Sequence, residues 1–319
     1  MSACTAVFRA VLAIFNIILI ALLGVIHFYS QRQEKFIFHY ILQNRTASQV
    51  SDTFFVTMRP QSWMEYVWYG IYGWQLLWMI QAIAIQFRKF PAVLNSFVFL
   101  LFLSSTILTA TWVVFLNRLM VTAACIVLFS AVFLTALALV LIYVRFNEYY
   151  DPEEHPACYF WGFQVLVFNG IACYVVWLIY HAMLILAAVL TYREDITEPT
   201  STTVVLILMY VLVLVWFILE NTVFLWSTRY TFSIYPTLVT AQVASALGNW
   251  DPRMRNSIIL VMLIAMVCVI FVFRVVRVAV RLKRSRKTYS TQVPPPPPPP
   301  SQPQEPLKDY KLEVLSTKF

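Results

Sequence analysis

The stretch TVVLILMYVLVLVWFILENTVFLW, residues 203–226, carries one charged residue in 24 positions. A helix rises about 1.5 Å per residue, so about 20 apolar residues cross the roughly 30 Å hydrocarbon core of a bilayer. The run is apolar on every side, which is typical of a helix surrounded by lipid or by other helices. It therefore predicts a membrane-spanning helix.

Comparable runs occur along most of the chain. Six of them lie near residues 7–29, 66–86, 92–116, 119–144, 161–190 and 256–278. An eighth run, 230–249, is weaker because it holds Pro236 and Gln242, but it has no charge and we count it as spanning. None shows the alternating pattern of about ten residues that marks a membrane β-barrel strand. The sequence predicts an all-α polytopic membrane helix bundle with about eight transmembrane helices.

The overall composition supports a membrane protein. The chain has 319 residues, of which 61% are hydrophobic and 12% charged, whereas soluble domains are about 25% charged. We therefore expect the lipid bilayer to be its main partner. The net charge of +8 does not indicate nucleic acid, because much of it follows the last apolar run. That basic cluster contains Arg274, Arg277, Arg281, Lys283, Arg284, Arg286 and Lys287.

The basic cluster also predicts the topology. Positively charged residues beside a span favour the cytoplasmic side, so we expect a cytoplasmic C-terminus. With eight spans, the loop 30–62 is then external or luminal, and its sequon Asn44-Arg45-Thr46 becomes a glycosylation site. Seven spans would place this loop in the cytoplasm and leave Asn44 unmodified. We expect an integral multi-pass protein of the plasma membrane or an endomembrane.

The chain divides into three parts by composition. Residues 1–191 hold the first five predicted helices and the loop 30–62. Residues 192–287 hold three further helices and the basic juxtamembrane segment, and residues 288–319 form a low-complexity tail. The tail cannot bury a core, so we predict that it is disordered.

The tail carries two sequence features that protein-binding domains recognise. Pro294–Pro300 is an unbroken proline run, which predicts a polyproline II helix. It is either a stiff spacer or a docking site for profilin, SH3 or WW domains. The chain ends with Thr317 two residues before Phe319, a pattern that PDZ domains recognise.

The stretch RPQSWMEYVWYGIYGWQLLW, residues 59–78, is unusually rich in rings, with four Trp and three Tyr. Trp63 and Tyr66 lie at the predicted interface, where aromatic belts form. Helical spacing sorts the deeper residues into two stripes, Trp68, Tyr72, Gln75 and Met79 on one and Trp74, Trp78, Gln81 and Ile85 on the other. Gln75 lies too deep for a belt and favours a protein partner or a cavity. The stripes are either packing surfaces or the wall of a binding site.

Three short motifs occur in order along the first five predicted helices. They are Pro60-x-x-Trp63 with Val67-Trp68-x-x-Ile71-Tyr72, then LTATW at 108–112 and CYVVW at 173–177. Together they resemble the tryptophan-rich sensory protein/translocator family, and in detail its longer, poorly characterised multi-pass relatives. The resemblance covers about residues 7–191.

The resemblance implies a five-helix bundle around an aromatic cavity that binds hydrophobic ligands such as tetrapyrroles and sterols. The implied lining residues in this sequence are Trp63, Trp68, Tyr72, Trp112, Tyr174 and Trp177. Gln75 joins these candidates because it shares a stripe with Trp68 and Tyr72, and small-molecule sites use a few polar groups to orient a ligand.

The chain also departs from the family pattern at polar positions. Glu65 stands where the long relatives have Phe, Thr109 and Ile185 replace Asn, and Cys173 replaces Pro. The polar contacts of the family cavity are therefore not carried over. The resemblance supports the bundle better than any particular ligand.

Ionisable groups inside predicted spans are functional candidates, because hydrocarbon disfavours them by at least about 2.5 kcal/mol. Glu220 lies in the span 203–226, with Asn221 beside it, and Asn169 on the fifth span reaches a similar depth. These three residues predict either a polar clasp between helices or a proton or substrate relay. His181 either pairs with Glu65 or bonds to a backbone carbonyl.

The remaining patterns narrow the function. We find no nucleophile–base arrangement, no phosphate-binding glycine loop and no metal-ligand spacing, and the five Cys are scattered. We therefore expect neither an enzyme nor a cofactor, metal or disulfide framework. The first hypothesis is binding, and transport or sensing, of a hydrophobic small molecule in an aromatic intramembrane cavity. The alternative is a membrane scaffold that recruits PDZ or proline-reading proteins through its tail.

Overall fold

Helices dominate the computed structural model of the chain. It describes residues 3–32, 42, 45–87, 93–151, 153, 155–225 and 227–292. Over these residues the chain forms helices joined by turns, with no β-strand. Asn44, Pro294–Pro300, Thr317 and Phe319 lie outside the described residues, so the predictions about the sequon and the tail stay predictions.

The helices follow one another with short connections. In chain order they are α1 Ala3–Ser30, α2 Ala47–Thr53, α3 Glu65–Gln86, α4 Ser96–Asn117, α5 Val121–Tyr149, α6 Ala157–Tyr192, α7 Glu198–Thr222, α8 Ile234–Asn249 and α9 Arg255–Gln292. A 3₁₀ turn, Ser62–Met64, leads into α3, and the segment Phe163–Phe168 of α6 is π-helical. α9 continues to Gln292, into the region predicted as tail from residue 288.

Six of these helices are long and apolar enough to cross a membrane by length and composition: α1, α4, α5, α6, α7 and α9. The chain is therefore an integral, multi-pass membrane protein. The two other helices predicted to span are less apolar or shorter. α3 has 22 residues but carries Glu65 at its start and Gln75 in its middle, and α8 has only 16 residues.

α6 is the central helix of the bundle. It packs against α3, α5, α7 and α8, while α1 packs on α3 and α4. In its most apolar stretch 72% of residues are buried within the protein, against 28% for α7 and for α9. The outer helices therefore present most of their apolar surface to lipid, and α6 supplies the core.

Compact packing of α3 on α6 depends on Gly170. A Cβ added at this position would lie 2.9 Å from Cδ1 of Trp74, closer than real side chains allow. Gln75 reinforces the same contact, because its Nε2 donates to the carbonyl of Gly170 at 3.0 Å. The two helices therefore approach closely at this level of the bundle.

Hydrogen bonds from α6 and α8 hold the segment 54–63 at one end of the bundle. Tyr180 on α6 donates its hydroxyl to the carbonyl of Met58 at 3.3 Å. Asn249, at the end of α8, donates from Nδ2 to the carbonyl of Arg59 at 2.6 Å. These bonds fix the segment that closes the cavity described next.

The chain divides into two compact units, Met1–Val276 and Arg277–Phe319. The described part of the second unit is the final section of α9, with Arg277, Arg281 and Lys283 on it. These three basic residues belong to the predicted juxtamembrane cluster. Arg274, which we grouped with them, lies in the first unit and has a different environment.

Candidate functional site

A cavity of about 430 Å³ lies at the end of the bundle where several helix termini meet. Its walls come from the end of α1, the start of α3, the end of α4 and the second half of α6. α2 and residues of the 54–63 segment cover it. A reciprocal capping box holds the start of α2, because the N–H of Gln49 donates to Oγ1 of Thr46 at 3.2 Å and the N–H of Thr46 to Oε1 of Gln49 at 2.8 Å.

Three of the predicted tryptophans, Trp63, Trp68 and Trp112, line this cavity. Trp68 is fully buried at the centre of the ring cluster, with its ring centroid 5.8 Å from that of Trp112. His181 lies 4.8 Å from Trp68, centroid to centroid, and also lines the cavity. The structure therefore brings together rings from α3, α4 and α6, three helices that are distant in sequence.

The other predicted rings lie in a second layer, behind the residues that line the cavity. Tyr72 stacks on Trp68 with a centroid distance of 5.4 Å, and Trp177 meets Trp68 edge-on at 6.0 Å. The hydroxyl of Tyr174 shares a hydrogen bond with that of Thr109 at 3.0 Å. These three residues support the position of the lining residues and do not themselves line the cavity.

Gln75 does not line the cavity either, and its prediction as the amide that orients a ligand is corrected. Its Nε2 donates to the carbonyl of Gly170, and its Oε1 accepts from Nε1 of Trp78 at 2.8 Å. A buried amide needs all its hydrogen bonds satisfied, and neighbouring helices supply them here. Trp78 is also fully buried and meets Phe102 at 5.0 Å, so this part of α3 packs within the protein.

The polar wall of the cavity comes from α1 and α3. Oε2 of Glu65 lies 2.9 Å from Nε2 of His27, and Nε2 of Gln31 donates to the same oxygen at 3.3 Å. Of the two alternatives for His181, the backbone bond is the one observed: Nδ1 bonds to the carbonyl of Trp177 at 2.9 Å. Sequence reasoning missed His27. Its only signal was a polar residue near the end of an apolar run.

The structure also places Ile185 and Cys173, the two residues on α6 that differ from the family pattern. Ile185 lines the cavity, together with Leu184 on the same helix. Cys173 does not line the cavity, and its Sγ accepts a hydrogen bond from the hydroxyl of Thr237 at 3.2 Å. The α6 side of the cavity is therefore mostly apolar, and most of its polar lining residues come from the ends of α1 and α4, from α2, from the 54–63 segment and from the start of α3.

A second polar centre surrounds Glu220, which is fully buried. Its Oε1 lies 3.0 Å from Nη2 of Arg274, and the hydroxyl of Tyr235 donates to its Oε2. Arg274 is also buried and donates from Nη2 to Oγ1 of Thr228 at 3.2 Å. Arg274 therefore does not act with the basic residues that follow the last apolar run, because it is buried on α9 and pairs with the buried carboxylate of Glu220 on α7.

Asn169 has a separate role, and the predicted cluster of Asn169 with Glu220 and Asn221 is corrected. Oδ1 of Asn169 accepts from the N–H groups of Phe232 and Ser233, at 2.8 and 2.9 Å. Asn221 donates from Nδ2 to the carbonyl of Phe217 at 2.6 Å, within its own helix. Asn169 thus orders the turn that begins α8, while Glu220 joins α7 to α9 and α8.

A smaller cavity of about 220 Å³ lies among the ends of α7, α8 and α9. Its carboxylate, Glu198, already accepts from the N–H of Thr57 at 2.6 Å and the hydroxyl of Thr202 at 2.8 Å. Among the residues that the structure describes, no group of three or more His, Cys, Asp or Glu is arranged to hold a metal ion. The aromatic cavity, which gathers rings from α3, α4 and α6, is therefore the candidate functional site.

The fold and this cavity define the class, an all-α integral membrane protein with an aromatic-lined cavity at one end of its helix bundle. Searches against known protein families, curated proteins and solved structures find no match to this chain.

Proposed function

We propose that the protein binds a hydrophobic small molecule in the aromatic cavity. The observation that carries this proposal is the cavity itself, whose volume of about 430 Å³ lies within the range of small-molecule sites, roughly 300–1,000 Å³. Such sites are mostly apolar with a few placed polar groups. Three tryptophans and one carboxylate with its hydrogen-bond partners match that description.

The resemblance to the translocator family supports the same proposal. The residues that carry its motifs meet in space, with Trp63, Trp68 and Trp112 on the wall of the cavity and Tyr72 and Trp177 directly behind it. On this basis we propose a ligand of the tetrapyrrole or sterol class. Transport or sensing would follow from binding at this site.

We further propose that α3 and α8 also cross the membrane, which gives eight spans. α1 ends, α3 begins, α4 ends and α6 ends beside the same cavity, so these helices run alternately through the bundle. α3, with 22 residues, is about 33 Å long, enough to cross the hydrocarbon core. With a cytoplasmic C-terminus, the cavity lies at the external or luminal end.

Binding by purified protein in lipid nanodiscs tests the proposal. Tryptophan fluorescence quenching by protoporphyrin IX, and energy transfer to a fluorescent sterol, should both saturate, with empty nanodiscs as the blank. Trp63→Ala should weaken binding by roughly tenfold, because the loss of an aromatic anchor typically costs more than about 1 kcal/mol.

Trp161→Ala is the matched control. Trp161 is 48% exposed and Trp63 is 40% exposed, but only Trp63 lines the cavity. The control variant should bind both probes as the wild type does. Equal loss of affinity in the two variants, or no saturable binding of either probe, contradicts the proposal.

A further inference from the structure

Glu65 is the acidic side chain among the described residues that line the aromatic cavity, and the described residues bond to one of its two carboxylate oxygens. Oε2 receives both hydrogen bonds, from His27 and Gln31. Across the described residues no hydrogen bond reaches Oε1. The side chain lines the cavity and keeps 34% of its surface accessible. Glu65 therefore brings a carboxylate to a cavity whose lining includes Trp63, Trp68 and Trp112.

We propose that this cavity selects hydrophobic ligands that carry a protonated amine, with the ammonium group at Glu65 and the apolar body against the tryptophans. This inference rests on the proposed binding of a hydrophobic small molecule in this cavity, and it replaces the tetrapyrrole or sterol class with a ligand whose head group is a protonated amine. An N–H of the ammonium would donate to Oε1 of Glu65 in a charge-assisted hydrogen bond, which is roughly twice as strong as a neutral one.

The surrounding rings favour a cation over a neutral or anionic head group. Tyr66, Trp63, Trp68 and Trp112 line the same cavity as Glu65. The face of an aromatic ring attracts a cation within about 6 Å, and tryptophan does so best. The three tryptophans and the carboxylate of Glu65 thus supply the two interactions by which proteins recognise organic ammonium groups.

Among the described residues, two groups that line the cavity with Glu65 have partners elsewhere. Arg59 forms an ion pair with Asp52 at the rim, and Nδ1 of His181 bonds to the carbonyl of Trp177. His27 engages Glu65 through Nε2, and its Nδ1 is buried without a hydrogen bond. In the neutral tautomer that carries its proton on Nε2, the Nδ1 of a histidine is an acceptor and the ring adds no charge, so this tautomer would leave the negative charge of Glu65 uncompensated.

Matched ligands that differ only in the head group test this inference on the full-length protein in nanodiscs. The probes are 4-(1-naphthyl)butylamine, 4-(1-naphthyl)butan-1-ol and 4-(1-naphthyl)butyrate, titrated by calorimetry with empty nanodiscs subtracted. The wild type should bind the amine at least about tenfold more tightly than the alcohol, and the carboxylate most weakly. This comparison needs no variant and is independent of any folding defect.

Glu65→Gln removes the charge and keeps the shape of the side chain. It should cost the amine at least about tenfold in affinity and leave the alcohol within about twofold. Glu194→Gln, at an exposed glutamate outside the cavity, should change neither.

Two results overturn the inference alone: an alcohol that binds as tightly as the amine in a Trp63-dependent manner, or a folded Glu65→Gln protein with undiminished affinity for the amine. If none of the naphthyl probes binds, and neither protoporphyrin IX nor the fluorescent sterol binds, both this inference and the proposed function are wrong.

Discussion

Neutralising Glu220 should destabilise the protein strongly, because its partner is a buried arginine. Glu220 is fully buried and Arg274 is 2% exposed, so water screens neither charge. Removing one partner of a buried ion pair leaves an uncompensated charge and costs about 3–5 kcal/mol. We therefore expect Glu220→Gln to lower the melting temperature by on the order of 5–10 °C, at about 2 °C per kcal/mol for a chain of this size.

A double variant separates the pair from general damage to the core. In Glu220→Gln with Arg274→Gln no charge is left unpaired, so much of the lost stability should return relative to either single variant. Glu148→Gln, at an exposed glutamate, is the control and should melt as the wild type does. Melting is followed by fluorescence-detected size exclusion in one detergent. A Glu220→Gln protein as stable as the wild type, or a double variant no better than the singles, would refute the reasoning.

The remaining predictions concern packing, the tail and topology. Gly170→Ala should destabilise the bundle by about 1–3 kcal/mol, because the added Cβ meets Trp74, and Gly73→Ala, with open space at that Cβ, should not; equal melting temperatures would contradict this. Deletion of residues 293–319 should leave the melting temperature unchanged and abolish any retention by PDZ or proline-reading domains; retention by the shortened protein would remove the scaffold hypothesis. Asn44 should carry a glycan that Asn44→Gln removes, and an unglycosylated wild type made in secretory-pathway cells would favour seven spans.

Hydropathy predicted the positions of the helices well, because each helix is set by its own apolar run. It marked the run 230–249 as weaker but did not mark α3, and it did not predict that α8 begins only at Ile234, after a turn. The turn is fixed by Asn169, on a helix far away in sequence. No local pattern contains that contact.

Part of the ring cluster could be predicted from the sequence and the charged contacts could not, and the role of the rings as a ligand site stays a prediction. The motif resemblance brought Trp68 and Trp112 together, and the structure places them in contact. The partner of Glu65 proved to be His27, and the partner of Glu220 proved to be Arg274. An ion pair between two helices depends on the rotation of both helices, and a periodicity within either sequence does not determine which residues face each other.

Photoaffinity labelling tests the central claim, a ligand in the aromatic cavity, most directly. A diazirine-bearing sterol and a diazirine-bearing tetrapyrrole are irradiated with the protein in nanodiscs, and the labelled residues are mapped by mass spectrometry. We predict labelling at the cavity, around Trp63 and Trp112, that an excess of unlabelled ligand abolishes. Labelling that resists competition and follows lipid exposure, at residues such as Ile207 on α7 and Val269 on α9, would contradict the account.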